Sequence, residues 1–213
     1  MLHHTGTIPL DTPRLLLRRF ESGDAQDMFD NWAGREEVTR HLPWQPHANV
    51  EVTRDRIAAW QERYESAAVY HWVIVKRETG QAIGSISVQA LREATRSCEL
   101  GYCLGNAFWN SGYMTEALHA VLGLLFETVG LHRVQALHHL HNPASGRVME
   151  KVGMTHEGTL RDFGQQADGS WFSMCIYSIL QSEWDGHGPR GSAGNPAKAN
   201  ARPKTVAAHI LGR

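Results

Sequence analysis

The sequence predicts a mixed α/β domain with one central, mostly antiparallel sheet of about six to seven strands flanked by helices. Two features indicate this fold class. Short apolar runs separated by turn residues occur on both sides of residues 98–138, which is typical of antiparallel strands. Within that range, residues 98–104, a helical run that opens at Gly112 and residues 132–138 form a strand–helix–strand unit, which predicts a right-handed parallel crossover.

In the first half of the chain, residues 14–20 form a short apolar run with basic residues in it, which predicts an outer strand. Asn49 is a helix-capping residue at the head of a longer helix that reaches residue 66. The apolar period then changes from helical to alternating. Residues 69–76 and 83–88 are therefore predicted to form a hairpin across the turn at 78–81.

The elements of the second half follow the same reasoning. In order they are a polar loop at 91–97, the strand 98–104, the helix from Gly112, the strand 132–138, a helix opened by Asn142 or Ser145, and closing strands near 155–161 and 171–180. Gly101 lies inside the strand 98–104 and indicates a bulge there, because an interior glycine weakens a regular strand.

The composition is that of an ordinary globular protein, with 42% hydrophobic and 20% charged residues. We expect a cytoplasmic protein, because no N-terminal segment resembles a signal peptide and no run has the length of a membrane span. Cys98, Cys103 and Cys175 have no metal-binding or redox spacing, and a small, odd number of cysteines fits a reducing compartment.

The charges divide the chain into unequal parts. Residues 1–185 carry 16 Lys and Arg against 22 Asp and Glu, whereas residues 186–213 carry five basic residues and no acidic one. That last stretch is rich in Gly, Ala, Asn and Pro, which predicts disorder. We expect an N-terminal extension at 1–13, one domain at 14–185 and a basic tail at 186–213. A contact of the tail with nucleic acid is the less favoured interpretation.

The most informative stretch runs from Phe108 to Ala117, where the strand 98–104 turns into a helix through a small loop. A helix start leaves backbone N–H groups unpaired, and these groups and the positive end of the helix dipole suit a phosphate. A second stretch, His141 to Ser145, follows the next strand. Together they predict a site for a cofactor with a pyrophosphate and a long arm; an ordinary strand-to-helix loop capped by Ser111 is the alternative.

These residues resemble the GNAT acetyltransferases, and most closely the branch of ribosomal-protein N-terminal acetyltransferases called RimJ/RimL-like. The resemblance extends from Thr12 to Trp184. The motifs that carry it, in order, are Leu42-Pro43-Trp44, Glu99-Leu100-Gly101-Tyr102, Gly112-Tyr113-Met114-Thr115-Glu116-Ala117, Asn142-Pro143-Ala144-Ser145, Glu150-Lys151-Val152-Gly153-Met154 and Glu157-Gly158-Thr159-Leu160-Arg161. Each motif is weak alone, but their order and spacing are specific.

The resemblance implies a GNAT fold, acetyl-CoA as cofactor, and transfer of an acetyl group to a primary amine by direct attack in a ternary complex. It implies that the cofactor is bound by Tyr102, Cys103, Leu104, Asn110, Ser111, Gly112, Tyr113, Met114, Thr115, Asn142 and Ser145. The acceptor is a protein N-terminus or a small-molecule amine. A non-catalytic acyl-CoA-binding or regulatory module is the alternative, because Asn110, Met114 and Met149 depart from the family pattern.

Acetyl transfer to an amine requires removal of a proton, polarisation of the thioester carbonyl and stabilisation of the thiolate. Glu99 is the candidate base, acting directly or through water, and the alternative is a carboxylate that only positions the amine. A backbone N–H near Tyr102 or Cys103 is expected to polarise the carbonyl, if a bulge at Gly101 separates this strand from the next. Ser145 is the candidate donor to the thiolate, with a hydrogen bond at the helix start as its alternative.

Other residues have both a functional and an ordinary interpretation. By family position Trp44 is expected over the acceptor site, and otherwise it anchors its loop to the core. Cys103 is interpreted as a buried structural cysteine rather than a nucleophile. Trp171 and Phe172 are expected to pack in the core, with contact to substrate or to a second subunit as the alternative; a homodimer is a fair expectation.

Four histidines near the strand 132–138 raise the question of a metal site. Alternation along the chain assigns His132 and His138 to one face, and His139 and His141 to the other. No carboxylate or cysteine has the spacing to complete a site with either pair. We therefore predict no metal.

Overall fold

The structure is a computed structural model that describes residues 1–166 and 168–186. Residues 187–213, which make up nearly all of the predicted basic tail, lie outside the described residues. The prediction of a disordered tail therefore stays a prediction.

The predicted mixed α/β fold is confirmed. The strands are β1 (Leu10–Asp11), β2 (Leu15–Arg18), β3 (His71–Lys76), β4 (Ala82–Arg92), β5 (Ser97–Leu104), β6 (Arg133–His139), β7 (Thr155–Gln165) and β8 (Trp171–Leu180). They form one sheet in the order β1-β2-β3-β4-β5-β6-β8-β7. Within the described residues the pair β5 and β6 is parallel and the other neighbours are antiparallel, as the strand–helix–strand unit predicts.

The sheet has eight strands instead of six or seven because residues before the predicted domain boundary contribute an edge strand. Leu10 and Asp11 pair with Leu17 and Leu16. Further upstream, Leu2 is buried and the N–H of His3 donates to the carbonyl of Val129. Much of the stretch 1–13 is thus packed onto the domain that it was expected to extend.

Five α-helices occur in the described residues: α1 (Ala25–Met28), α2 (Glu36–Thr39), α3 (Val50–Arg63), α4 (Tyr113–Gly123) and α5 (Pro143–Lys151). Wider π turns continue α1 to Ala33 and α4 to Val129. The cap predicted for α3 is confirmed, because Oδ1 of Asn49 accepts from the N–H of Val52 at 3.1 Å. None of the described helices is long and apolar enough to cross a membrane.

Two apolar clusters cover opposite faces of the sheet. Trp72 and Ile74 of β3 join the larger cluster, which contains the buried side chains of α4 and α5. Val73 and Val75 join the smaller cluster with buried residues of α1 and α3. Neighbouring residues of one strand point to opposite faces, so the alternation along β3 accounts for both clusters.

The bulge predicted at Gly101 is instead on the neighbouring strand. The register between β4 and β5 shifts between Val88 and Ala90, so that Gln89 is the extra residue. The side chain of Gln89 lies over Gly101, where a Cβ atom would meet its Nε2 at 1.9 Å. Gly101 therefore provides space for Gln89, and the predicted loop at 91–97 is shortened because β4 continues to Arg92.

The parallel strands β5 and β6 separate partway along their length. Their pairing runs from Ser97 and Arg133 to Leu100 and Ala136 and then stops, although both strands continue. We call the opening beyond Leu100 and Ala136 the fork. It is bordered by residues 101–104 on one side and 137–139 on the other, and it begins four residues after the start of each strand.

Candidate active site

The edge of β5 that faces the fork carries backbone groups without a strand partner. The N–H of Gly105 donates to the carbonyl of Ile83, which fixes the alternation of backbone groups between β4 and β5. By that alternation the N–H of Cys103 faces β4, whereas the N–H groups of Tyr102 and Leu104 face the fork. Tyr102 and Cys103 are the two residues predicted to supply an N–H that polarises the carbonyl. Of these, Tyr102 has its N–H directed to the fork.

The end of β5 is tied to the loop that follows it. The indole Nε1 of Trp109 donates to the carbonyl of Leu104 at 2.7 Å, although the ring is 46% exposed. The bond occupies the carbonyl of Leu104. The N–H of Leu104 and the N–H and carbonyl of Tyr102 remain along the open edge. An edge of this kind offers the alternating donors and acceptors that an amide-containing chain can pair with.

The loop before α4 is built from two left-handed residues. Asn110 has φ of 59° and Gly112 has φ of 79°. Gly112 precedes the first helical residue, and its carbonyl accepts from the N–H of Glu116 at 3.0 Å. The N–H groups of Tyr113, Met114 and Thr115 belong to the first turn, which has no preceding helical carbonyls to bind. These groups are the helix-start donors that the sequence predicts at this position.

The loop residues Asn110, Ser111 and Gly112 are exposed, whereas the side chains that follow them in α4 turn inward. Met114 and Thr115 are buried, and Met114 packs in the larger apolar cluster. The hydroxyl of Ser111 donates to the carbonyl of Trp109 at 3.2 Å, so Ser111 does not cap the helix as the ordinary interpretation supposed. The larger residue at position 114 is thus accommodated in the core.

Arg14 adds a positive charge beside this loop. Its Nη1 donates to the carbonyl of Ser111 at 2.9 Å, its Nε donates to Oε2 of Glu116 at 2.6 Å, and its guanidinium lies 4.6 Å from the ring centre of Tyr113. Burial alone would raise the pKa of Glu116, but hydrogen bonds from Thr12 and Arg14 outweigh it and lower that pKa. Glu116 is therefore ionised at neutral pH. Sequence reasoning missed Arg14, which is 98 positions before the loop's Gly112.

The second predicted stretch begins α5 and meets β5 through Tyr102. The Tyr102 hydroxyl donates to the carbonyl of Ser145 at 3.0 Å, and the two hydroxyls are 2.9 Å apart. Burial raises the pKa of the Tyr102 phenol, so that it is protonated at neutral pH. Asn142 occupies the N-cap position of α5, but its side chain makes no capping bond. Met149, in the place of a common family tyrosine, is fully buried in the core.

Glu99 lies on the side of the sheet opposite α4 and α5. We call the part of that side at the C-terminal ends of β5 and β6 the acceptor face. Oε2 of Glu99 accepts from Nε2 of Gln135 at 3.0 Å, across the next-to-last pair of residues before the fork. Cys103 lies on the same side, with its Sγ 3.3 Å from the hydroxyl of Ser85. Burial raises the pKa of the Cys103 thiol, which agrees with a structural rather than a nucleophilic cysteine.

The aromatic residues expected near the acceptor differ in placement. Trp44 is half-buried, packs against the smaller apolar cluster and lies 5.5 Å, ring to ring, from His47. Phe172 is half-buried at the acceptor face, whereas Trp171 is 62% exposed. The expectation that Trp171 packs in the core is therefore wrong, and its exposed ring is available for other contacts.

The histidines near the fork are not arranged as a metal site. Nε2 of His138 lies near Gly146 of α5, whereas the His139 ring is on the acceptor face beside His41, with ring centres 4.7 Å apart. Among residues 1–166 and 168–186 no three His, Cys, Asp or Glu side chains are arranged to hold a metal ion. Sequence reasoning missed His41, because nothing in its local pattern connects it with His139.

Comparison with known proteins identifies the family to which this fold and site belong. The model of the family described as "Acetyltransferase (GNAT) domain" matches residues 14–155. The chain therefore belongs to the GNAT acetyltransferase family. It is an N-acetyltransferase, that is, an acyltransferase.

Individual relatives agree with this assignment. The chain is 31% identical over 172 residues to the uncharacterized N-acetyltransferase YoaA of Bacillus subtilis (strain 168), across 81% of this chain and 96% of YoaA. It is 25% identical over 185 residues to the ribosomal protein uS5-alanine N-acetyltransferase of Escherichia coli (strain K12), across 83% and 93% of the two chains. The latter confirms the resemblance to ribosomal-protein acetyltransferases.

The fold is also similar to solved structures. The crystal structure of the GNAT-family acetyltransferase from Bacillus anthracis matches with a TM-score of 0.72 at 25% identity. The match covers 83% of this chain and 100% of that one. The similarity therefore extends over most of the described domain.

Proposed function

We propose that the protein transfers an acetyl group from acetyl-CoA to a primary amine, by direct attack of the amine in a ternary complex. The observation that carries this proposal is the fork, whose open β5 edge lies next to the free N-terminus of α4. The β5 edge offers backbone N–H and C=O groups with which the amides of a pantetheine arm could pair, and the start of α4 offers an anion site for the pyrophosphate.

The residues present fit that cofactor. The N–H groups from Asn110 to Thr115 would hold the pyrophosphate, with Arg14 beside them, and the backbone of Tyr102 and Leu104 would pair with the pantetheine amides. Side chains of Asn142 and Ser145 flank the same opening from α5. Bound there, acetyl-CoA supplies the activated thioester that the amine attacks.

The protein's own groups provide the electrostatics of the reaction. The N–H of Tyr102 faces the fork and would polarise the thioester carbonyl. The hydroxyls of Tyr102 and Ser145 are 2.9 Å apart, and the Tyr102 O–H, which donates to the Ser145 carbonyl, would turn from that carbonyl when it or Ser145 donates to the leaving sulfur. Cys103 has no part in this scheme, because a thiol with a raised pKa is a poor nucleophile at neutral pH.

Glu99 is the residue that would draw the acceptor ammonium to the fork. Gln135 binds one of its carboxylate oxygens at 3.0 Å, and among the described residues the other oxygen accepts no hydrogen bond, so it could bind a cation. The proton acceptor is either Glu99, directly or through water, or a neutral histidine on the same face. Trp44 would border this side from the loop before α3.

For the acceptor we propose a class of amine, either a protein N-terminus or a small molecule. The relative from E. coli acts, by its name, on an alanine of ribosomal protein uS5, which favours a protein N-terminal amine. The rings of His41, His139 and Phe172 at the acceptor face favour a small amine instead, because a basic ribosomal segment would prefer an acidic groove. We further propose that the protein is cytoplasmic and that it forms a homodimer.

The test is titration of acetyl-CoA by calorimetry, followed by thiol release with a panel of small amines and of peptides with free N-termini. Binding with turnover supports the proposal, and the preferred acceptor decides between the two classes. Binding without turnover on every acceptor favours a regulatory module. Absence of binding contradicts the assignment of the fork and the α4 loop.

A further inference from the structure

Two histidine rings and a phenylalanine ring are stacked on the acceptor face. His41, two residues after α2, stacks on His139 with ring centres 4.7 Å apart and planes at 26°. His139 stacks in turn on Phe172, at 5.4 Å and 27°. The stack brings residues from three separate elements together, so it depends on the fold and not on local sequence.

A hydrogen bond to the His139 ring indicates which tautomer the neutral ring adopts. Its Nδ1 accepts from the backbone N–H of His141 at 3.1 Å. A nitrogen that accepts a hydrogen bond carries the lone pair, so the neutral ring has its proton on Nε2. The lone pair of Nδ1 is therefore engaged by the backbone, and His139 has no free lone pair for another proton.

His41 has the complementary properties. In the described residues it makes a ring contact with His139, and no hydrogen bond occupies either of its ring nitrogens. Burial first, and then the charges of His139, Arg40 and His141, lower the pKa of His41. The same effects, from burial and from His141 and His138, lower the pKa of His139. At neutral pH His41 is an uncharged imidazole with an available lone pair.

The strand register places the His139 end of this stack at the fork, which Tyr102 also borders. His139 is three residues past Ala136 and Cys103 is three residues past Leu100, so both border the fork, and Tyr102 is one residue before Cys103. Glu99 is three residues before Tyr102, which is about 10 Å along an extended strand. The His41 ring is stacked on the ring of His139, which borders the fork, whereas Glu99 belongs to the paired part of β5 before the fork.

We propose that His41 is the general base that deprotonates the acceptor ammonium, with His139 as the positioning residue that orients it. This inference rests on the proposed function. The lone pair of the imidazole takes one proton from the ammonium, and the freed amine attacks the thioester carbon. A carbon–nitrogen bond forms and the carbon–sulfur bond breaks. The nitrogen loses a second proton, the sulfur gains one, and the net proton passes from His41 to solvent.

The test compares pH profiles of kcat/KM for His41→Gln, His139→Asn and Glu99→Gln in the full chain, with one amine that the unaltered protein acetylates. His41→Gln is expected to lower kcat/KM about 100-fold and to replace the acidic limb set by His41 with one at higher pH that follows the fraction of free amine. His139→Asn is expected to move that limb to higher pH, because it removes burial and a neighbouring charge from His41. Glu99→Gln should keep the limb.

Two further measurements separate a chemical role from a structural one. Imidazole added to His41→Ala should restore part of the rate, and acetyl-CoA affinity measured by calorimetry should stay within twofold in all variants. His132→Gln, at an exposed position outside the site, is the control and should behave as the unaltered protein.

The outcomes distinguish this inference from the proposed function. If the unaltered protein acetylates the amine and His41→Gln retains both rate and acidic limb, the base assignment is overturned while the function stands. If Glu99→Gln loses the acidic limb instead, the general base is Glu99, and the assignment of His41 is overturned equally. If the unaltered protein binds acetyl-CoA but acetylates no amine, function and inference fail together.

Discussion

Arg14 and Glu116 join the beginning of the domain to the first turn of α4. The guanidinium donates from Nε to Oε2 of Glu116 at 2.6 Å, and the backbone N–H of Arg14 donates to Oε1 at 2.9 Å. The Thr12 hydroxyl donates to the same Oε1 at 2.6 Å. One half-buried carboxylate therefore holds the segment that runs into β2 against the loop proposed to bind pyrophosphate.

We expect Arg14→Met to weaken acetyl-CoA binding about tenfold, the effect of losing one charge-assisted hydrogen bond of roughly 1.4 kcal/mol. The variant removes both the bond to the Ser111 carbonyl and a positive charge beside the α4 N-terminus. Calorimetric titration of acetyl-CoA is the measurement. Arg77→Met is the matched control, because Arg77 binds Asp11 and the carbonyl of Thr12 but does not touch the loop. Equal affinities of the two variants would contradict this role.

The Tyr102 and Ser145 hydroxyls are expected to differ in importance. Tyr102→Phe removes the phenol that contacts both the carbonyl and the hydroxyl of Ser145, so we expect kcat to fall by about 100-fold. Ser145→Ala leaves the bond from the phenol to the carbonyl in place, and a smaller loss of kcat is expected. Steady-state thiol release measures both. Full turnover in Tyr102→Phe would remove the pair from the mechanism.

Glu99→Gln is expected to raise the KM for the acceptor amine about tenfold, equivalent to roughly 1.4 kcal/mol, because an amide cannot attract the ammonium as a carboxylate does. Gln135→Leu should give a partial effect, since it frees the carboxylate oxygen that Gln135 holds. Acceptor saturation curves at fixed acetyl-CoA are the measurement. An unchanged KM in Glu99→Gln would contradict the positioning role.

The sequence could predict those parts of the site that depend on neighbouring residues. The helix start at Gly112, the turn of Asn142 into α5 and the crossover between β5 and β6 all follow from local patterns, and the structure agrees with each of them. Asn110 illustrates why: its left-handed φ of 59° is a conformation that asparagine tolerates better than most residues other than glycine. A departure from the family pattern is thus chemically compatible with the loop.

The remaining parts depend on contacts between distant positions, which local patterns do not encode. Tyr102 and Ser145 are 43 positions apart, and Gly101 is explained by the side chain of Gln89 on the next strand. The same holds for His41, which meets His139 only because the segment after α2 folds onto the acceptor face. The bulge was predicted on the wrong strand for this reason: glycine signals a special position but not whose side chain requires it.

The last prediction concerns stability and the ion pair between Arg133 and Glu157. Hydrogen bonds from Arg133 and then from Ser178 outweigh burial and lower the pKa of Glu157 from 4.5 to about 2. A carboxyl with a lowered pKa in the folded state stabilises the protein above its unfolded pKa, and that contribution is lost as the pH falls from about 4.5 towards 2. Because the pair is partly exposed and screened, we expect Glu157→Gln to cost no more than about 1 kcal/mol at pH 7. Chemical denaturation of both proteins should show this difference shrinking between pH 5 and about pH 2.

Glu78→Gln is the control, since the more exposed Glu78 pairs with Lys76 in a turn and its loss should cost less. A difference that is independent of pH would mean that the charge of Glu157 does not contribute to stability.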